Sequence, residues 1–177
     1  MTTLTDNTAA PALAGKAPGP KAGKLWWTIA TFLCAGKLRP GPGTWGSLGA
    51  LAVWGGVASL VPPAWHPAAA LAGAAAATAI GIPAAARVSR ELGNDDPSCV
   101  VIDEVAGQLL ALADSSLHWK SLLTAFILFR AFDILKPPPL RRLEKFPGGA
   151  GIMLDDLGAG LYALAVMQLL RHFGVLG

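Results

Sequence analysis

The sequence predicts an all-α protein, a polytopic helical membrane bundle of about five apolar helices preceded by a short interfacial helix. Two observations carry this prediction. Of 177 residues, 53% are hydrophobic and 14% charged, a balance well to the apolar side of ordinary soluble domains. The apolar residues also fall in long runs punctuated by Pro, Gly, Ser and Asp, the residue types that start and stop helices. The length suits one domain, and no internal repeat is visible.

Residues 1–24 are rich in Ala, Thr, Pro and Gly and lack a continuous hydrophobic stretch of signal type, so they predict a flexible tail. Residues 25–177 then form a single membrane-embedded domain. The run LWWTIATFLCAG (25–36) is about three turns long and carries Trp26, Trp27 and Phe32, which suit a bilayer interface. GKLRPGPGTWGS (36–47) reads as a loop leading into an apolar helix at 47–61. The Ala-rich segment 66–88 reads as a helix with Pro67 in its first turn and a kink near Pro83. Asp96 before Pro97 predicts an N-cap and a helix over 97–113. Ser115 and Ser116 cap the next, 117–135, which Pro137-Pro138-Pro139 stops. A basic loop, 140–151, precedes the last helix at 153–173.

A full crossing takes about 20 apolar residues. Segments 66–88, 117–135 and 153–173 meet that length, whereas 47–61 and 97–113 are short. If the five helices alternate in direction, as short connections require, eleven of the fourteen Lys and Arg residues gather at one face: Lys16, Lys21, Lys24, Lys37, Arg39, Arg87, Arg90, Lys136, Arg141, Arg142 and Lys145. Lys120 and Arg171 lie opposite. The excess marks the first face as cytoplasmic.

A net charge of +3 without a basic stripe excludes nucleic acid as a partner and favours lipid headgroups or phosphate. Cys34 and Cys99 form no CxxC or metal spacing and read as reduced thiols. His66, His118 and His172 fall on the far face or its edge, so the sequence assigns them no catalytic part.

Charges within or beside the apolar runs point to the function: Asp96, Asp103, Glu104, Arg130, Asp133, Lys136, Asp155 and Asp156. An intramembrane carboxylate costs on the order of 2.5–3.5 kcal/mol, so such charge is matched by partners or used for chemistry. VIDEVAG (101–107) sets Asp103 and Gly107 four apart on one helix face, where a neighbour can approach closely. Placement near a helix N-terminus alone offers Asp103 about 0.3–1 kcal/mol. FRAFDILKP (129–137) aligns Arg130, Asp133 and Lys136 at successive i, i+3 steps. A guanidinium there suits bidentate grip on phosphate oxygens, while Lys136 also fits a snorkelling role. MLDDLGAG (153–160) sets two acids side by side, which repel unless a cation sits between them. An oxygen-rich ligand set without His or Cys favours a hard cation, Mg²⁺ first. GPGTWGS (41–47) offers the hydroxyls of Thr44 and Ser47 and backbone N–H groups to an anion, without the GK[ST] of a P-loop. Neither Cys has an Arg six positions on and no Asp-x-Asp occurs, which leaves metal-assisted hydrolysis run by carboxylates with cationic support.

Together GTWGSLGA, VIDEVAG, FRAFDILKPPP and GGAGIMLDDLGAG resemble the phosphatidylglycerophosphatase A family over roughly residues 30–170. The resemblance implies a Mg²⁺-dependent, multi-pass enzyme of the bacterial cytoplasmic membrane, with its site facing the cytoplasm. Its substrate would be phosphatidylglycerophosphate and its products phosphatidylglycerol and phosphate. On this expectation Asp103, Glu104, Asp155 and Asp156 hold Mg²⁺, and Arg130 and Lys136 neutralise the phosphomonoester, helped by Thr44 and Ser47. Asp133 orients Arg130 or completes the metal shell. The alternatives are a cation transporter using intramembrane carboxylates and a packing subunit whose ion pairs fix helix register.

Overall fold

The computed structural model describes residues 17–143, 146 and 148–176, and every regular element within them is helical. The α-helices are α1 (Lys24–Ala30), α2 (Pro42–Leu60), α3 (His66–Leu92), α4 (Ile102–Ala111), α5 (Trp119–Leu135), α6 (Leu140–Leu143) and α7 (Gly149–His172). Residues 1–16 of the predicted tail, Lys16 among them, and Lys145 of the basic face lie outside the described residues. The rest of that tail is tied to α3: the Gly19 N–H donates to the Arg90 carbonyl and the Ala22 N–H to Glu91 Oε2, each at 2.7 Å.

α4 is the axis of the fold. Nine of its ten residues are buried, all but Glu104, because α2, α3, α5 and α7 pack around it. Its apolar residues therefore face neighbours on every side, as in a core helix rather than a surface one. Around it the core is largely Ala, with Trp54, Phe129, Leu112, Met153 and Met167 as its larger members. Small side chains let helices approach closely, and one crossing shows how. A Cβ on Gly107 would lie 2.5 Å from the Asp156 carbonyl, and one on Gly160 would strike the Gly107 carbonyl. Only glycine at both positions permits this α4–α7 contact.

Several helix boundaries differ from the sequence prediction, and each has a packing cause. α2 starts at Pro42, whose missing N–H and fixed φ suit a first helical position, so Thr44 and Ser47 are helical rather than loop residues. α4 starts at Ile102 instead of 97, and Asp96 is not its cap. The Val100 N–H turns back to Pro97 and the Val101 N–H bonds the Ala30 carbonyl, both at 2.9 Å. Those bonds commit residues 97–101 to a turn against α1. At α5 the His118 ring, rather than Ser115 or Ser116, accepts from the Lys120 N–H. α7 starts at Gly149, four residues early, where the glycine backbone lies against Ile82 of α3. α3 runs unbroken past Pro83 to Leu92.

Pro63–Leu92 and Gly149–His172 are, among the described residues, the two helical stretches long and apolar enough to cross a membrane. The predicted crossing at 117–135 falls short: α5 has 17 residues, about 25 Å of rise. Five spanning helices are therefore more than length and composition support.

Candidate active site

Five chain segments meet at one end of the bundle. The starts of α2, α4 and α7, the end of α5 and the α3–α4 connection line a cleft of about 620 Å³. Asp95, Asp96 and Ser98 come from the connection, and Gly41 to Gly43 from the entry to α2. α4 contributes Asp103 and Glu104, α5 with its cap Arg130, Asp133 and Lys136, and α7 Asp155 and Asp156.

The glycine crossing sets the geometry. Asp103 is one turn before Gly107 and Asp156 one turn before Gly160, so two parallel helices in close contact bring these carboxylates together. Carboxylate oxygens of Asp103, Glu104 and Asp156 lie within 4.8 Å of one another. Asp103 is 7% exposed and Asp156 4%. Glu104 Oε2 and Asp156 Oδ2 are buried without a hydrogen-bond partner among the described residues. Three acids packed this way repel, and their orphaned oxygens ask for a cation.

α4 rises only about 15 Å and does not reach across a membrane. Burial first, then the charge of Glu104, push Asp103 well above the usual carboxylate range. Burial likewise raises Glu104, against the pull of Asp103's hydrogen bond and the Arg130 guanidinium.

Two cations flank the carboxylates. Arg130 Nη1 lies 2.7 Å from Asp133 Oδ2 and 3.9 Å from Glu104 Oε1. Its Nε is buried with no acceptor among the described residues, so the guanidinium retains capacity for an incoming anion. Lys136 Nζ donates to Asp155 Oδ2 at 2.7 Å. Lys136 caps α5 with φ of 45°, a left-handed turn that ends the helix before the prolines.

Of the four carboxylates assigned to metal from the sequence, the structure groups Asp103, Glu104 and Asp156, while Asp155 points to Lys136. Adjacent helical residues diverge by about 100°, so the two aspartates cannot share one direction. Thr44 and Ser47 do not line the cleft. Ser47 is buried and its hydroxyl donates to the Gly43 carbonyl at 3.0 Å, the i−4 bond usual for helical Ser. Sequence reasoning put Gly43 in a loop on the phosphate side but missed its packing role: a Cβ there would collide with Glu104 Oε1 and press on Arg130. Its signal was present, a glycine directly after a helix-starting Pro.

The histidines lie elsewhere. His66 stacks edge-on against Trp54, with Nε2 3.0 Å from the Ala58 and Val61 carbonyls, and His118 caps α5.

A family model described as Phosphatidylglycerophosphatase A matches residues 28–171. This chain belongs to the phosphatidylglycerophosphatase A family. The matched span takes in every cleft residue named above. A Haemophilus influenzae protein named Phosphatidylglycerophosphatase A is 36% identical over 147 residues, covering 82% of this chain and 88% of that one. One of the same name from Escherichia coli is 29% identical over 154 residues, 86% and 87% of the two chains. A Bacteroides thetaiotaomicron relative, provisionally named a phosphatidylinositol-3-phosphatase, is 39% identical over 136 residues, 73% of this chain and 83% of its own. No solved structure matches.

Proposed function

We propose that this family member is a phosphatidylglycerophosphatase that hydrolyses the terminal phosphomonoester of phosphatidylglycerophosphate to phosphatidylglycerol and phosphate. The observation that carries the reading is the meeting of Asp103, Glu104 and Asp156 beside Arg130 in one cleft. Family membership favours this enzyme over the cation transporter and over a packing subunit.

Asp103, Glu104 and Asp156 would hold Mg²⁺. The donor set fits: all oxygen, with Asp103 and Asp156 buried and Glu104 half-buried, with orphaned acceptor atoms, and no His or Cys to favour a softer metal. When bound, the metal supplies charge neutralisation on the phosphoryl oxygens and activation of water. Arg130 grips the phosphate, and Asp133 holds the guanidinium in place through their 2.7 Å contact. Lys136 adds a second cation, held at the cleft by Asp155. Asp155 serves as the anchor of Lys136 rather than as a metal ligand. The narrow α4–α7 crossing keeps the carboxylates at fixed separation, the preorganisation on which electrostatic catalysis depends.

The chain is a multi-pass protein of the bacterial cytoplasmic membrane, with its cleft at the cytoplasmic face. The two long apolar helices support insertion, as do the apolar side chains left exposed on other helices: Leu60 is 86% exposed, Ile127 55% and Leu135 67%. The Lys and Arg excess supports the orientation.

The test is phosphate release from phosphatidylglycerophosphate in detergent micelles, with Mg²⁺ supplied and then chelated. Release that stops on chelation and returns with Mg²⁺ is expected; release that persists under chelation contradicts the metal assignment. The Bacteroides relative's name supplies a second substrate, phosphatidylinositol 3-phosphate, and comparing kcat/KM for the two lipids decides between them.

A further inference from the structure

A second cavity, of about 430 Å³, opens beside α1 and shares no residue with the carboxylate cleft. Lys21, Lys24 and Lys37 line it, with Trp27, Cys34 and Glu91. Glu91 is its single carboxylate, and Oε2 of that group is committed to the Ala22 N–H at 2.7 Å and Trp27 Nε1 at 2.8 Å. All three lysines are exposed, and the cavity is cationic by two charges, three lysines against one glutamate.

Its position and its rim identify the occupant. Glu91 is the penultimate residue of α3, a 27-residue helix that rises about 40 Å, more than the ~30 Å hydrocarbon core of a bilayer. The end of such a helix stands at headgroup level. Leu25 (66% exposed) and Leu33 (73% exposed) flank the lysines. Leu33 is held out by an unusual turn: Phe32, Leu33 and Cys34 have φ of 41°, 54° and 75°, the left-handed region that non-glycine residues rarely adopt. Bonds from Leu33 N–H to the Thr28 carbonyl and from Gly36 N–H to the Thr31 carbonyl fix it. A soluble anion would need the lysines and not the exposed leucines; a lipid uses both.

We propose that this face is an anionic-phospholipid site, taking a headgroup phosphate among Lys21, Lys24 and Lys37 and resting acyl chain beside Leu25 and Leu33. It rests on the membrane-facing part of the proposed function, but not on the cleft chemistry. The face anchors α1 to the bilayer surface at the end of the bundle where a lipid substrate must enter.

Cys34 provides a reporter inside the cavity. It is exposed, whereas burial raises the Cys99 thiol. Full-length Cys99→Ser protein, labelled at Cys34 with an environment-sensitive fluorophore, would be titrated in neutral detergent with short-chain phosphatidylglycerol, the matching phosphatidylcholine, and inorganic phosphate. Phosphatidylglycerol should shift the emission saturably, while the other two leave it unchanged. Lys21→Ser/Lys24→Ser/Lys37→Ser should raise the half-saturating concentration about tenfold or more, with kcat for phosphate release unaltered. Lys37→Ser alone, with about a fivefold rise, carries the same test if the triple variant unfolds. An equal response to phosphatidylcholine, a response to inorganic phosphate alone, or an unmoved half-saturation in the lysine variants would overturn the proposal. Loss of phosphate release in the parent protein would strike the proposed function and leave this titration readable.

Discussion

Where α4 and α7 finish, Asp114 and Arg171 form a hydrogen-bonded ion pair whose arginine side chain is 62% exposed. Where the same two helices begin, Asp103 and Asp156 are buried side by side with Glu104, and acceptor oxygens remain unpartnered. At the far end Asp114 and Arg171 answer each other one to one at the surface, an arrangement worth little to stability. At the near end three acids crowd together with Arg130 and Lys136 at their edge, an arrangement that costs stability unless a cation joins them. Charge within apolar helices therefore has two meanings in this molecule, and partner saturation separates them.

Substitutions can break that contrast. The largest effect is expected from Asp103→Asn or Asp156→Asn. Loss of groups that merely support metal ligands commonly costs 10–100-fold, so loss of a ligand itself should lower phosphate release by more than about a hundredfold. Asp155→Asn should cost visibly less, because it removes the partner of Lys136 and no ligand; equal losses at 155 and 156 would erase the distinction drawn between them. Arg130→Lys keeps the charge but loses the planar fork, and kcat/KM should fall about ten- to a hundredfold. Next comes Gly107→Ala, which drives a methyl into the Asp156 carbonyl and the Phe129 ring. A cost of about 1–3 kcal/mol is expected from overpacking, seen as a lower Tm in detergent together with weaker activity. The smallest effect belongs to the far end: Arg171→Ala should change stability by under about 1 kcal/mol and leave turnover intact. A catalytic defect in that variant would mean that the two ends are not independent.

The sequence exposed the near end well, for a definite reason. Asp103, Glu104, Arg130 and Asp133 interrupt runs that Leu or Ala could fill, and an expensive residue in such a place announces a use. Helix alternation then predicted that separate segments deliver these charges to one end, and five segments do line one cleft. Which of two neighbouring acids faces inward was not legible. Asp155 and Asp156 differ only by rotation about α7, and that rotation is set by contact between Gly107 and Gly160, two residues whose pairing no local pattern reveals. The helix starts at Pro42 and Gly149 were hidden because GPG and GGAG carry the composition of turns, while close packing favours glycine in a helix just as strongly. Thr44 and Ser47 were misplaced with them. Two of the five expected crossings meet the length and composition of a membrane span among the described residues, and apolar composition alone does not separate a spanning helix from α4, a helix buried on all sides by protein.

The central claim, that Asp103, Glu104 and Asp156 form a divalent-cation site, is tested most directly by Mn²⁺ binding to the full chain, followed by electron paramagnetic resonance. Bound Mn²⁺ that Mg²⁺ displaces, that persists in Asp155→Asn and that disappears in Asp103→Asn/Asp156→Asn is the predicted result. Unchanged Mn²⁺ binding in the folded double variant would contradict it.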